Sequence, residues 1–189
     1  NAGSALAADG NAGMAMVVTH ISAATASLVW MLMDWSKFGK PTLIGLVTGT
    51  IAGLASITPA SGSVGPIGAL IIGASAGFIC YLFVNIVKNT LKIDDSLDVF
   101  AVHGVGGVLG IILVAFLVDS NIGGAGYAEG MNAASQLAIQ VKGALAVLAL
   151  SVVATVIITY IVKFTVGLRV DETSEIEGLD ISSHGETNG

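Results

Sequence analysis

Two histidines lie inside long stretches of the chain that contain no Asp, Glu, Lys or Arg: His20 and His103. Histidine titrates near pH 6.5 in water, and each ring nitrogen can donate or accept a hydrogen bond. In a dry channel a neutral imidazole can pass a proton or hydrogen-bond a small polar solute. The alternative, which the sequence leaves open for both residues, is a ring satisfied by a helix carbonyl. Glycines beside His103 open space around its ring.

Other chemistry-bearing constellations are missing from the sequence. We find no nucleophile–base pair, no phosphate-binding loop and no cluster with metal-ligand spacing. The single cysteine, Cys80, excludes an intramolecular disulfide and a Cys-based zinc site. We therefore predict that the protein is not an enzyme and uses no cofactor or metal. Seven basic residues without a basic patch also argue against a nucleic-acid partner.

The composition is that of an integral membrane protein. Of 189 residues, 54% are hydrophobic and only 11% are charged, whereas a soluble domain carries about 25% charged residues. Apolar stretches of about 20 residues are long enough to cross the bilayer as helices. We predict an all-α membrane domain over residues 1–168, followed by an acidic cytoplasmic tail over 169–189. The five predicted transmembrane helices cover about residues 14–33, 42–57, 67–87, 98–118 and 139–163.

Local sequence features predict where these helices begin and end, and which side chains lie at the membrane interface. Pro and Gly between Thr58 and Pro66 divide one long uncharged stretch into two spans. Asp98 lies near the start of the fourth span, where a structural role is favoured and either Asp95 or Ser96 can cap the helix. Trp30 and Trp35 suit an interfacial belt.

Small residues recur at intervals of four within three of the predicted spans. Residues four apart share a helix face, so such sets form smooth grooves for a neighbouring helix. We expect close packing at three sets: Gly45, Gly49 and Gly53; Gly73 and Gly77; and Gly106 and Gly110.

The basic residues predict the orientation of the chain. Cytoplasmic loops of membrane proteins carry an excess of Lys and Arg. Six of the seven basic residues fall on one side of the predicted spans: Lys37, Lys40, Lys88, Lys92, Lys163 and Arg169. We expect a multi-pass protein of the cell (plasma) membrane, with the N-terminus outside and the C-terminal tail in the cytoplasm.

Seven short strings follow one another along the chain: Asn1–Ala5, Gly53–Ala60, Asp94–Gly104, Gly123–Gly124, Val166–Val170, Glu177–Asp180 and Ser183–Glu186. Together, and in this order, they resemble the ammonium transporter (Amt/Mep/Rh) family over essentially the whole chain. The resemblance is to the second half of the family's fold. It implies that the five spans are similar to helices seven to eleven of an eleven-helix fold built from inverted repeats.

The resemblance also implies a function. Ammonium would be recruited at an outer vestibule, lose a proton, and cross as ammonia past two stacked histidines in each pore of a homotrimer. His103 resembles the second of these histidines, Ser4 the vestibule hydroxyl and Val99 a residue lining the inner part of the pore. Asp98 resembles an acid at the inner mouth.

The tail resembles a regulatory segment that docks on a neighbouring subunit. The tail residues that carry this resemblance are Gly167, Arg169, Gly178, Asp180 and His184. The resemblance also implies a cytoplasmic regulatory protein as a partner at the inner face.

Other interpretations remain open at this point. The first half of the family's fold is absent, so five helices alone cannot enclose its pore, and a remnant that merely packs in the membrane is one alternative. A membrane module that senses ammonium is another, which the absence of a signalling domain before Gly189 disfavours. His20 does not match the first pore histidine, and we interpret it as a packing or hydrogen-bonding residue.

Overall fold

The computed structural model describes residues 1–187, so the last two residues of the predicted tail lie outside it. Every regular element among the described residues is helical, which confirms the all-α prediction. The α-helices are α1 (Gly10–Phe38), α2 (Leu43–Ile57), α3 (Pro66–Asn85), α4 (Gly106–Leu117), α5 (Ala133–Thr165), α6 (Glu172–Glu177) and α7 (Leu179–His184). Short 3-10 turns cover Gly3–Ala5 and Ser120–Ile122. Two π-helices, Ile86–Thr90 and Phe100–Val105, extend α3 and precede α4.

Four of these helical segments are long and apolar enough to cross a membrane: Gly10–Phe38, Pro66–Thr90, Phe100–Leu117 and Ala133–Thr165. The helix α2 is apolar but has only 15 residues. At 1.5 Å per residue it is about 22 Å long, less than the hydrocarbon core of about 30 Å. It ends at Ile57 because Thr58 and Pro59 open a run of turns, and α3 begins with Pro66 as its first residue. The structure thus has the helix break at the predicted place, whereas the prediction that α2 is a fifth transmembrane span stays a prediction.

The chain divides into two compact units, Asn1–Ala144 and Leu145–Gly189, with the division inside α5. The first unit contains α1 to α4 and the two π-helices. The second contains most of α5, from Leu145 onwards, and the two short helices α6 and α7. The predicted division into a membrane domain and a tail at residue 168 stays a prediction.

Within the first unit, the glycine faces of α2 and α3 pack against α1. A Cβ atom added at either Gly53 or Gly73 would lie 2.5 Å from the Ser22 carbonyl oxygen, and one at Gly77 would lie 2.7 Å from that of Ala26. The Ser22 hydroxyl donates to the Gly53 carbonyl oxygen at 2.9 Å. These distances confirm the predicted close packing, since only glycine leaves room for the α1 backbone.

Apolar side chains fill the space between these helices in two clusters. One joins Val18 of α1 to residues of α2, α3 and α4. The other contains Trp30, Ala52, Cys80 and Val102. Trp30 is only 5% exposed and meets the Tyr81 ring edge-on, with 5.2 Å between ring centroids. The interfacial prediction was therefore wrong for Trp30, because α3 places an aromatic partner beside it, whereas Trp35 is exposed.

Replacement of Gly53 by alanine tests the α1–α2 contact. The new methyl group meets the backbone of Ser22, which cannot rotate away, so we expect Gly53→Ala to destabilise the protein by about 1–3 kcal/mol. The measurement is the thermal midpoint of the detergent-solubilised protein, which should fall by roughly 3–10 °C. Gly13→Ala is the matched control, because a Cβ at Gly13 has nothing within 4 Å. Equal midpoints for the two variants would show that the close contact is not needed.

Candidate functional site

The segment that carries His103 begins at a carboxylate cap. The Asp95 carboxylate accepts hydrogen bonds from the backbone N–H groups of Val99 (2.8 Å) and Phe100 (2.9 Å). Ser96 instead donates its hydroxyl to Asp94 at 3.2 Å. Of the two predicted caps, the structure therefore selects Asp95. The helix then widens into the π-helix Phe100–Val105.

This wide turn separates buried side chains from exposed ones. Ala101 and Val102 are buried in the first unit, whereas His103 and Gly104 are exposed. Among residues 1–187 the His103 ring forms no hydrogen bond, so the alternative of a ring satisfied by a helix carbonyl does not hold for it within this chain. Val99 is 52% exposed and precedes His103 by about one turn. The structure thus exposes both of these predicted site residues, about one turn apart.

The His20 ring, unlike that of His103, has a hydrogen-bond partner in its own helix. Its Nδ1 atom lies 3.0 Å from the Met16 carbonyl oxygen, one turn earlier in α1. This contact fits the interpretation of His20 as a hydrogen-bonding residue. The two histidines, indistinguishable by type in the sequence, therefore differ in their hydrogen bonding.

Ser4 lies at the end of the first unit where α1 begins. It is exposed in the 3-10 turn Gly3–Ala5. This turn is attached to the helices by Asn1, whose Nδ2 donates to the Thr19 hydroxyl at 3.0 Å and reaches the Thr58 hydroxyl at 3.4 Å.

The opposite end of this unit, which we call the basic end, holds Lys37 and Lys88 around a cavity of about 290 Å³. Asp98 lines this cavity, and its carboxylate forms an ion pair with the Lys88 ammonium at 2.7 Å. Ser4 and Asp98 thus lie at opposite ends of the first unit, and their places at an outer vestibule and an inner mouth stay predictions.

Asp34 also lines this cavity, and we did not predict a role for it from the sequence. It is 4% exposed and accepts a hydrogen bond from the Thr42 hydroxyl at 2.5 Å. The same hydroxyl accepts from the Gly45 N–H at 2.9 Å, so Thr42 caps α2. An acid at the end of an uncharged stretch, eight residues before a threonine cap, is the signal that could have indicated this contact.

In the second unit, Arg169 forms a two-point ion pair with Glu175, at 2.9 Å from Nε and 2.5 Å from Nη2. This contact lowers the pKa of the Glu175 carboxyl. Asp171 caps α6 by accepting from the Ser174 N–H at 2.9 Å, and this hydrogen bond lowers the pKa of Asp171.

The remaining tail residues singled out by resemblance are at turns and in α7. Gly167 and Gly178 adopt φ angles of +85° and +91°, which favour glycine. Asp180 and His184 are exposed in α7, and the Asp180 carbonyl accepts from the Glu186 N–H at 2.8 Å. Their regulatory role stays a prediction.

Apolar helices of membrane-spanning length, arranged around glycine contacts, define a multi-pass helical membrane protein. The sequence matches the Ammonium Transporter Family over residues 1–189. The chain belongs to this family.

Individual relatives agree with this assignment. The ammonium transporter of Aquifex aeolicus is 44% identical over 187 residues, which are 98% of this chain and 44% of the relative. The ammonium transporter Amt1 of Archaeoglobus fulgidus is also 44% identical, over 98% of this chain and 47% of its own length. The chain thus spans less than half the length of these curated relatives, which are named as transporters and not as enzymes.

Solved structures show the same fold. The chain is similar to a structure named Sensor Amt Protein, with a TM-score of 0.86 and 31% identity over 97% of this chain and 44% of that one. It is also similar to Saccharomyces cerevisiae Mep2, with a TM-score of 0.75 and 36% identity over 85% of this chain and 39% of that one.

The ion pair in the tail predicts a pH dependence. Because the pKa values of Asp171 and Glu175 are lowered by folding, their contribution to α6 is present at neutral pH and is lost as the pH falls below about 4. NMR during an acid titration measures this loss, with the Ser174 amide reporting Asp171 and the side-chain carboxyl of Glu175 reporting the ion pair. Arg169→Gln should move the Glu175 midpoint to higher pH, towards the ordinary value of a glutamate. An unchanged midpoint in that variant would contradict the role of the ion pair.

Proposed function

We propose that this chain forms the second half of an ammonium transporter, in which ammonium loses a proton at entry and crosses as ammonia through a hydrophobic pore past His103. The observation that carries the proposal is the exposure of the His103 ring, without a hydrogen-bond partner among the described residues, in a member of this family. This ring is exposed on a wide turn and forms no hydrogen bond among residues 1–187. A free imidazole of this kind has both nitrogens available to a small polar solute.

Electrostatics favours deprotonation in such a pore. A bare cation in a low-dielectric medium carries a large desolvation penalty, whereas neutral ammonia does not. An apolar pore with imidazole side chains along its wall therefore favours the neutral molecule. It also excludes potassium, which has no proton to give up.

Other residues take their proposed places along this route. The Ser4 hydroxyl accepts a hydrogen bond from ammonium at the outer vestibule. Val99, more than half exposed and one turn from His103, lines the inner part of the pore. Asp98 lies at the inner mouth, supported by its place at the basic end.

The proposal needs a second repeat to complete the pore. Its support is the length of the relatives, of which the chain covers less than half. The complete transporter is a homotrimer with one pore in each subunit. The excess of Lys and Arg on one side supports a plasma-membrane orientation with the N-terminus outside and the C-terminus in the cytoplasm.

The tail has a proposed regulatory role in this assembly. Gly167, Arg169, Gly178, Asp180 and His184 belong to a segment that docks on a neighbouring subunit and meets a cytoplasmic regulatory protein. The capped helix α6 and its ion pair support this role, because they give the acidic tail a defined conformation despite its polar composition. Ammonium sensing is the less favoured function, since the curated relatives named above are transporters.

The pair of histidines provides the direct test. In the natural polypeptide reconstituted into vesicles, His103→Ala should change ammonium flux by about tenfold, the effect of about 1.4 kcal/mol on a barrier. His20→Ala is the matched control, because the His20 ring is held by its own helix, and its flux should equal that of the wild type. Stopped-flow fluorescence of a pH dye inside the vesicles measures the flux.

Assembly is monitored in parallel by size-exclusion chromatography, and both variants should elute as the wild type does. Unchanged ammonium flux and unchanged selectivity over potassium in His103→Ala would overturn the proposed role of this residue.

A further inference from the structure

Within residues 1–187, one ion pair joins the π-helix at the end of α3 to the residues just before the second π-helix. Lys88 belongs to the π-helix Ile86–Thr90 at the end of α3, and Asp98 precedes the π-helix Phe100–Val105 by two residues. The Lys88 ammonium and the Asp98 carboxylate are 2.7 Å apart. π-Helices are rare and occur frequently at functional sites. The second of these two carries His103.

Asp98 holds this ion pair in a constrained position. Its φ angle is +57°, in the left-handed region that few residues other than glycine adopt. Its side chain is 17% exposed, and the Oδ1 atom that meets Lys88 is itself buried. Among residues 1–187 no hydrogen-bond donor other than the Lys88 ammonium reaches this oxygen. The position of the carboxylate therefore depends on Lys88.

The backbone of Asp98 starts the segment that carries His103. Its carbonyl oxygen accepts a hydrogen bond from the Val102 N–H at 2.8 Å. A shift of Asp98 therefore moves the acceptor for the residue directly before His103.

Both turns are anchored by buried neighbours. Val87, next to Lys88, is 1% exposed, and Val102 is 2% exposed in the cluster around Trp30. The Val87 carbonyl oxygen also accepts from the Ile93 N–H at 3.0 Å. Because both segments are packed, a displacement at the ion pair cannot be absorbed by loose side chains.

We propose that Lys88 is a positioning residue for His103 and sets the placement of its imidazole through Asp98. The inference rests on the proposed function of His103. Without the ammonium, the Asp98 carboxylate turns towards water, since leaving its buried Oδ1 atom without a partner is costly. This movement releases Asp98 and shifts the first turn of the segment that carries His103.

Substitution of Lys88 in the natural full-length polypeptide tests this inference. The flux of ammonium and the flux of methylammonium are measured in vesicles, and each flux is divided by the amount of assembled protein. Lys88→Met should lower ammonium flux by about tenfold, equivalent to about 1.4 kcal/mol. It should also change the ratio of the two fluxes, because a displaced imidazole alters the space for the extra methyl group.

Two matched variants separate positioning from general stability. Lys88→Arg keeps the charge and should retain both the flux and the ratio of the wild type. Lys40→Met removes an exposed lysine from the turn between α1 and α2 at the same end of the first unit, and it should change neither. Equal losses of both fluxes in Lys88→Met, with the ratio unchanged, would show a merely structural role and overturn the inference.

A double variant covers the case in which Lys88→Met does not assemble. Lys88→Met combined with Asp98→Asn removes both charges and leaves no unpaired buried carboxylate. We expect it to assemble with an altered flux ratio, and a wild-type ratio would overturn the inference.

Failure of this inference is distinguishable from failure of the proposed function. If the wild type transports ammonium and His103→Ala alters that transport while the Lys88 variants do not, only the role of Lys88 is wrong.

Discussion

Ser22 and Ala26 of α1 leave no room for a side chain on the helices that face them. Gly53 of α2 and the pair Gly73 and Gly77 of α3 occupy these positions, at distances where an added Cβ would meet the α1 backbone. Lipid tails are as apolar as leucine, so the hydrophobic effect does little to bring helices together in a membrane. Close van der Waals contact takes its place, and α1 becomes the helix against which α2 and α3 are aligned.

This packing determines which side chains are buried and which are exposed in the segment that leads into α4. Gly106 lies against Ser56 of α2 and Cys80 of α3, and a Cβ at Gly106 would meet the Ser56 hydroxyl oxygen at 2.8 Å. The chain just before Gly106 is therefore held close to the other helices, with Val102 buried among them. The π-helix widens this segment, so His103 is exposed while its preceding neighbour is buried. Close packing on one side thus leaves the imidazole free on the other.

Much of this architecture follows from local sequence signals. The all-helical fold, the break after Ile57 and the packing role of the glycine sets could be predicted, because helix periodicity, Pro and Gly act within a few residues. Asp95 was one of two caps expected before the fourth span, and the structure distinguishes it from Ser96 by its hydrogen bonds.

Other features depend on contacts between distant segments and could not be read from the sequence. The ion pair of Lys88 with Asp98 requires the register of two π-helices, which apolar periodicity does not encode. The burial of Asp34 depends on Thr42 across a turn, and that of Trp30 depends on Tyr81 in α3. The roles of Ser4, Val99 and the tail residues are predictions that come from family resemblance.

We propose that this chain supplies half of an ammonium pore and needs a second repeat to complete it. The most direct test compares ammonium flux in vesicles containing the polypeptide purified from its natural membrane with flux in vesicles containing residues 1–189 alone. We expect saturable ammonium flux from the natural polypeptide and none from the isolated chain. Equal flux per molecule from the two samples would contradict it, because the five helices would then form a pore without a partner repeat.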